Sequence, residues 1–241
     1  MPFIDHNPLP GVHHIEDSMG VCCTLILGGD HALLPDAGYG FEDVVAHVRS
    51  LTDLPVTLWL SHAHHDHAMG ARWFDAVRLC PDEVAVYKEY ASEKWAGYVL
   101  REAREAGVHV EEAAWRARRM PAPTVLDGET LDLGGVTARV LPCPGHTPGS
   151  AVVFVPEYRL LLTGDDWNPC TWLFFPEALG IRAHREYLRG LLELPFESVL
   201  CPHRTQLYPR RTLEDFARGL TDAAIAAARS EEHTSELQSR I

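Results

Sequence analysis

Short apolar runs that end at turn-forming or polar residues dominate the first sixty positions of the chain. The runs at 21–27 (VCCTLIL) and 31–35 are separated by the tripeptide GGD, a pattern typical of a β-hairpin. A helix is predicted at 41–51. The nearly continuous apolar run VTLWL at 56–60 is typical of a strand that is buried on both faces of a sheet, and a segment rich in histidine follows it directly.

A helical spacing replaces this pattern between positions 81 and 120, where apolar and aromatic side chains form one stripe among Lys and Glu. The residues of the stripe are Tyr87, Tyr90, Ala91, Trp95, Tyr98 and Val99. We interpret this segment as a helical insertion at about 83–120.

Strands and helices alternate again in the second half of the chain. Apolar runs predict strands at 130–133, 136–141, 151–155, 160–162 and 198–201. Helical spacing predicts helices at 183–194 and from 212 onward. Because both halves mix strands with helices, we predict a layered α/β (α+β) architecture in which helices cover a sheet.

The end of the chain is not expected to belong to this fold. The stretch RSEEHTSELQS, which begins at Arg229, resembles the translation of a common sequencing-library adapter. Residues 229–241 are therefore expected to be non-native and to add nothing to the fold. Residues 1–228 are then predicted to form a single domain.

The charge balance narrows the range of partners to expect. The sequence holds 21 Lys and Arg against 34 Asp and Glu, a formal net charge of −13 at pH 7, which opposes binding to the phosphates of nucleic acid. No apolar run approaches the roughly 18 residues of a membrane span, and the first residues lack the pattern of a secretory signal. The six cysteines include no C-x-x-C pair, as is usual for reduced core thiols. We therefore expect a cytoplasmic protein with a small-molecule substrate, and with neither nucleic acid nor a membrane as a partner.

Four potential metal ligands lie within six positions directly after the buried strand at 56–60. They are His62, His64, Asp66 and His67, in the pattern H-x-H-x-D-H. A turn after a strand lets such side chains converge on one point, and imidazole with carboxylate is a ligand set for zinc, iron or manganese. The pattern predicts a metal site at the end of this strand.

Three further segments place a potential ligand at a strand end. His146 lies in the tight loop PGHTPGS between two predicted strands, Asp165 follows the strand at 160–162, and His203 follows the strand at 198–201. Each has an ordinary interpretation as a turn residue when taken singly. Together with the histidine segment, they favour one metal centre.

The order of these motifs resembles that of the metallo-β-lactamase-fold hydrolases over about residues 21–220, with the ligand pattern of glyoxalase II. The resemblance implies an αββα sandwich of mixed sheets with a dinuclear metal site at the sheet edge. The residues implied to hold the first metal ion are His62, His64 and His146. Those implied to hold the second are Asp66, His67 and His203.

Two aspartates complete the implied site. Asp165 would bridge the two ions, and Asp36, in the segment LPDAG, matches the family's aspartate that braces the histidine segment from behind. His65 and Asp166 fall between the ligand positions, so neither is expected to bind metal.

The implied activity is metal-dependent hydrolysis of a small ester, thioester or lactone. Two divalent ions, expected to be Zn²⁺ with iron or manganese as alternatives, would supply a bridging hydroxide as nucleophile, and Asp66 would orient it as a catalytic residue. Four aromatic residues follow Asp165 closely, namely Trp167, Trp172, Phe174 and Phe175. They either line the substrate rim of the site or pack against the helical insertion.

Two other functions stay open from the sequence. Arg204 follows His203 where the family has a glycine, and a site without His203 would be mononuclear or loaded with iron. The persulfide dioxygenases have such a site, since they use a single iron ion on a similar fold. A non-catalytic metal-binding domain is the third class. Metal content separates them, because two zinc ions favour the hydrolase, one iron favours the dioxygenase and no metal favours the binding domain.

Overall fold

Two β-sheets carry most of the strands in the computed structural model, which describes residues 3–171, 173, 175–227, 230–233 and 236–239. The first sheet contains, in both chain and spatial order, β1 (Ile4–Leu9), β2 (Val12–Glu16), β3 (Cys22–Leu27), β4 (Ala32–Pro35), β5 (Val56–Trp59), β6 (Val77–Leu79) and β7 (Pro123–Val125). The second sheet contains β8 (Glu129–Asp132), β9 (Thr137–Pro142), β10 (Ala151–Val155), β11 (Leu160–Leu162), β12 (Ser198–Leu200) and β13 (Tyr208–Pro209), again as consecutive neighbours.

The helices lie between these strands along the chain. They are α1 (Val44–Leu51), α2 (His65–Ala68), α3 (Val84–Tyr90), α4 (Glu93–Glu105), α5 (Glu112–Ala117), α6 (Ile181–Leu191), α7 (Arg210–Gly219) and α8 (Asp222–Ala227). Two more strands, β14 (Ser230–His233) and β15 (Glu236–Ser239), pair with each other in a separate two-stranded sheet. Among the residues described, none of the helices has the length and apolar character needed to cross a membrane.

The two large sheets pack face to face, and helices cover their outer faces. Along β10, Val153 and Val155 point into the core between the sheets, where they meet Trp59 of β5. The alternate residues Val152 and Phe154 point outward and pack against apolar side chains of α6 and α7. A matching cluster lies between the first sheet and helices α1 and α3. This order of layers confirms the predicted αββα sandwich.

Both sheets are mixed, and their parallel strands direct several loops to one edge. Strands β4 to β7 run parallel in the first sheet, as do β11 and β12 in the second, whereas the other neighbouring pairs are antiparallel. The loops after β4 and β5 carry Asp36 and the histidine segment. Those after β11 and β12 carry Asp165 and His203. Four of the predicted site segments therefore leave the carboxyl ends of parallel strands.

The helical predictions differ from the structure in their boundaries: α6 and α7 each begin two residues earlier than predicted, and the two helical predictions of the first half differ as follows. Helix α1 begins at Val44, not at 41, because Asp43 is its N-cap and accepts a hydrogen bond from Ala46 N–H at 2.9 Å. The aromatic stripe lies on two helices instead of one, since α3 ends at Tyr90 and Ala91 is exposed at the break before α4.

The hydrophobic pattern does not predict four strands of the first sheet, namely β1, β2, β6 and β7. Strands β1 and β7 form the edges of the sheet and leave most of their side chains at least partly exposed. β6 has three residues, too few for a period to be recognised, and β2 places the polar His14 at a buried position. Edge position, short length and a buried histidine each weaken the alternation on which such predictions depend.

Candidate metal centre

The histidine segment leaves β5 as a turn whose backbone is held from both sheets. Ser61 N–H donates to Asp36 Oδ1 at 2.7 Å, and Ser61 C=O accepts from Ala151 N–H at 2.7 Å. The chain then enters α2, where His67 N–H donates to His64 C=O at 3.0 Å. This change from extended to helical backbone within six residues lets alternate and adjacent side chains converge.

All seven residues predicted as ligands fall into three overlapping groups. Within each group the potential ligating atoms lie within 4.8 Å of one another. The groups are His62, His64 and His146; His62, His67 and Asp165; and Asp66, His67 and His203. The first and third groups coincide with the two ligand sets that the family resemblance implied.

Asp165 lies between these two sets. Its Oδ2 is 3.1 Å from His203 Nε2 and 3.8 Å from His146 Nε2, and its Oδ1 is 3.7 Å from His67 Nε2. Gly164 brings this carboxylate close to the histidine segment, because a Cβ at that position would come within 2.7 Å of the Ser61 side chain. One carboxylate thus faces ligands of both sets, as a bridging ligand must.

Several buried ligand atoms lack a hydrogen-bond partner. Within the described part of the chain, His62 Nε2, His67 Nε2 and Asp165 Oδ1 are buried and make no hydrogen bond. Buried polar atoms are normally paired, because leaving one unpaired costs about 1–3 kcal/mol. Divalent ions would satisfy all three atoms, and the mixture of imidazole and carboxylate suits zinc, iron or manganese. The residues therefore fit the metal ions that the resemblance implies.

The electrostatics of the centre favour positive charge between the two sets. Burial opposes ionisation of Asp66 and Asp165, yet the neighbouring histidines hold the pKa of each carboxyl well below its usual range. Burial and the adjacent histidines lower the pKa of His62 well below its ordinary value, which keeps that ring neutral and able to bind a metal. Burial acts in the same direction on His67, but the surrounding carboxylates raise the pKa of that ring well above its ordinary value.

Asp36 supports the centre from behind β5. It follows β4 with a left-handed backbone (φ 63°), a conformation that Asp tolerates better than most residues. Its carboxylate accepts hydrogen bonds from Ser61 N–H and Oγ–H at 2.7 and 2.8 Å, and Oδ2 lies 3.1 Å from His67 Nδ1. A proton on Nδ1 leaves Nε2 of His67 to face the other ligands. The structure thus has the bracing contact that the resemblance implied.

Arg204 does not displace His203 from the centre. The Arg204 side chain is exposed, and its Nη1 donates to His203 C=O at 2.7 Å. On the inner side, His14 of β2 donates its Nε2–H to Arg204 C=O at 2.9 Å, and Cys22 N–H donates to Pro202 C=O at 2.8 Å. Two strands of the first sheet therefore hold the backbone on which His203 depends.

Sequence reasoning missed two carboxylates beside the proposed ligands. Glu83 is fully buried and accepts hydrogen bonds from Ala63 N–H, Thr147 Oγ–H and Gly149 N–H at 2.7, 2.7 and 3.0 Å. It therefore joins the loops that carry the histidine segment and His146. Burial raises the pKa of Glu83 despite these donors.

The second missed carboxylate is Glu177, which contacts a proposed ligand directly. Its Oε1 lies 2.9 Å from His64 Nε2 and accepts a hydrogen bond from Tyr90 Oη–H at 2.9 Å. Burial opposes ionisation, but the contacts with His64 and Tyr90 lower the pKa of Glu177 to about 2. The local sequence contains no signal for this role, since FPEALG is ordinary loop sequence.

The structure corrects the expectation that Trp167 lines a substrate rim. Trp167 is only 1% exposed, packs in the cluster between the second sheet and its helices, and has its ring centroid 5.4 Å from that of Tyr208. Its ring therefore lies in the layer between the second sheet and helices α6 and α7. Of the other aromatic residues named there, Trp172 and Phe174 lie outside the described residues.

Phe175, the fourth of these aromatic residues, does reach the centre, as does one ring of the helical insertion. The ring centroid of Phe175 lies 4.4 Å from that of His64 and 5.6 Å from that of His146. Tyr90, from the helical insertion, lies 4.8 Å from His64 by the same measure. His65 turns away from the ligands and stacks on Tyr90 and Trp95. Apolar ring surface therefore borders the first ligand set.

Comparison with known proteins relates this arrangement to one family. The family model of the metallo-beta-lactamase superfamily matches residues 19–199. The solved structure of the metallo-beta-lactamase family protein TTHA1429 from Thermus thermophilus superposes with a TM-score of 0.61 at 24% identity, covering 87% of this chain and 79% of that chain. The structure of TTHA1623 in a di-iron-bound form superposes with a TM-score of 0.61 at 24% identity, covering 83% of this chain and 94% of that chain. At these identities, both structures support the fold alone.

One relative has a named activity. The acyl-coenzyme A thioesterase MBLAC2 of Gallus gallus is 27% identical over 172 residues, which is 62% of this chain and 59% of that protein. The match therefore spans less than two thirds of the relative's length.

Proposed function

Because this chain belongs to the metallo-beta-lactamase superfamily, we propose that it is a hydrolase that uses two divalent metal ions to cleave a small ester, thioester or lactone. The observation that carries the proposal is the convergence of seven ligating side chains into overlapping groups, with Asp165 facing both sets. The unpaired buried atoms of these residues support occupation of the centre by cations.

The proposed roles follow from the contacts of each residue. When bound, the two ions would lower the pKa of a water molecule and polarise a carbonyl group. The first ion would be held by His62, His64 and His146, the second by Asp66, His67 and His203, and both would contact Asp165. Asp66 has a second proposed role, because its ionised carboxylate can accept a hydrogen bond from the attacking water and orient it.

Zinc is the proposed metal, since imidazole nitrogens and carboxylate oxygens are its usual ligands in catalytic sites. Iron and manganese accept the same donors. The related fold of TTHA1623 was solved in a di-iron-bound form. The metal identity is therefore included as a variable in the test below.

An acyl thioester is the substrate that the comparisons favour within the proposed class. The relative MBLAC2 is named an acyl-coenzyme A thioesterase. Phe175 and Tyr90 place ring surfaces against His64, and an apolar wall beside a metal position suits an acyl chain. The net charge of −13 opposes a nucleic-acid substrate.

The test is an anaerobic assay of the zinc-loaded protein against acyl thioesters, lactones and aryl esters, with phosphodiesters and a persulfide included for comparison. We expect hydrolysis of a carbonyl substrate without oxygen, and we expect His146→Ala to abolish it. His109→Ala is the matched control, because His109 is 84% exposed and lies outside the three ligand groups. Turnover confined to the persulfide, with iron and oxygen required, would overturn the hydrolase proposal. Turnover confined to phosphodiesters would reject the substrate class.

A further inference from the structure

His64 divides its two ring nitrogens between the centre and a carboxylate outside it. Its Nδ1 lies 2.9 Å from His146 Nε2, in the group proposed to hold the first ion. Its Nε2 points away from that group and lies 2.9 Å from Glu177 Oε1. The His64 side chain is 4% exposed, so water competes little for either nitrogen. The partners of the ring, His146 at Nδ1 and Glu177 at Nε2, therefore decide which nitrogen carries its proton.

Glu177 is held in this position by two other elements of the fold. Tyr90, at the end of α3, donates its Oη–H to the same carboxylate oxygen at 2.9 Å. Two residues beyond Glu177, Leu179 N–H donates to Gly145 C=O at 3.0 Å, which ties the segment to the loop that carries His146. The carboxylate is thus placed by the helical insertion on one side and by a ligand loop on the other.

A neutral imidazole carries one proton, and the nitrogen that keeps the proton cannot bind a metal. An ionised carboxylate can only accept a hydrogen bond, so the proton of His64 must be on Nε2 when it contacts Glu177. We propose that Glu177 is a positioning residue that fixes the orientation and the Nε2–H tautomer of His64, leaving the Nδ1 lone pair for the first metal ion. This inference rests on the proposed metal centre, which Glu177 itself does not enter.

The neighbouring proposed ligands show the same division of nitrogens. His67 has Nδ1 against Asp36 at 3.1 Å, and His62 has Nδ1 against Ser61 Oγ at 3.1 Å. In both rings it is Nε2 that faces the other ligands. His64 uses the opposite nitrogen, and Glu177 is correspondingly on the opposite side of the ring. Oriented partners of this kind commonly support metal-binding histidines.

The first test reads the tautomer directly, by nitrogen NMR of histidine-labelled, metal-free protein. We expect His64 to carry its proton on Nε2 in the native protein and in Glu177→Gln, whose amide oxygen can accept the same two hydrogen bonds. Glu177→Ala should lose this preference. Glu102→Ala is the matched control, because Glu102 Oε2 lies 3.4 Å from Nε2 of His65, a histidine outside the ligand groups. A proton on Nδ1 of His64 in the native protein would overturn the inference.

The second test is a zinc titration of the same four proteins. Removal of an outer partner of a metal-binding histidine typically costs about 10–100-fold in metal affinity, so Glu177→Ala should weaken the first site by that factor. Glu177→Gln should stay closer to the native protein, and Glu102→Ala should match it. Equal zinc affinity in Glu177→Ala and the native protein would overturn the inference. Failure of the native protein to bind zinc would instead reject the proposed function, while the NMR experiment would still show whether Glu177 selects the tautomer.

Discussion

At the scale of single residues, three carboxylates surround the ring of His67. Asp36 Oδ2 lies 3.1 Å from Nδ1, whereas Asp66 Oδ2 and Asp165 Oδ1 lie 3.5 and 3.7 Å from Nε2. Because the ring is fully buried, these negative charges are poorly screened and raise its pKa. Burial opposes protonation of His203, but Asp165 and Asp66 raise the pKa of that ring also. Protons therefore compete with the second metal ion for Nε2 of His67 and for Nε2 of His203.

We expect the affinity for the second ion to fall as the pH is lowered. A ligating nitrogen must be deprotonated, and the pKa values of His67 and His203 lie above the ordinary 6.5. Proton competition should therefore begin above pH 6.5 and strengthen toward acid. The pKa of His62 is lowered, so the first site should be less sensitive to pH. Zinc titrations across this pH range measure both affinities, and a second-site affinity that stays constant or rises toward acid would contradict the assignment.

At the scale of elements, Glu83 joins three segments that are distant in the chain. It lies directly before α3, and its carboxylate accepts hydrogen bonds from the loops that carry the histidine segment and His146. The buried N–H groups of Ala63 and Gly149 both depend on this carboxylate. Glu83 therefore couples the helical insertion to two loops of the metal centre.

Glu83→Ala is expected to destabilise the fold. It leaves the buried N–H groups of Ala63 and Gly149 without that acceptor, and each unpaired group costs about 1–3 kcal/mol. We expect the free energy of unfolding, measured with urea on metal-free protein, to fall by at least about 2 kcal/mol. Asp82→Ala is the control, because Asp82 is adjacent and exposed and its removal should change stability by less than about 0.5 kcal/mol. Equal stability of the two variants would show that Glu83 does not join these segments.

A part of the site can be predicted from sequence when its residues lie close together in the chain. The pattern H-x-H-x-D-H lies within six positions, so its chemistry is visible without the fold. Glu83 and Glu177 reach their partners across sequence separations of 20 and 113 positions, and their local sequences resemble those of exposed glutamates. For Trp167, closeness in sequence was misleading. The residue is two positions from Asp165, but its ring packs between the second sheet and its helices.

At the scale of the whole molecule, the two sheets supply different parts of the centre. Asp36 and the histidine segment follow strands of the first sheet, whereas His146, Asp165 and His203 come from the second. Metal ions bound by both sets would join the two halves of the sandwich, so metal binding and folding should be coupled.

We propose that residues 229–241 add nothing to this sandwich. Their strands β14 and β15 pair with each other in a separate small sheet. Deleting these residues should leave the thermal midpoint and the metal content unchanged. About 1 kcal/mol shifts the midpoint of a chain of this size by about 2–4 °C. A larger drop would show that the segment docks on the domain.

The proposed dinuclear centre fixes the number of divalent ions that the folded chain holds, which native mass spectrometry measures after equilibration with zinc. We expect a mass increase of two ions in the native protein, because Asp165 faces ligands of both sets. In His146→Ala, which removes a ligand of the first set alone, the second ion should remain in part. A native protein that holds no ion or a single ion at saturating zinc would contradict the proposed dinuclear centre.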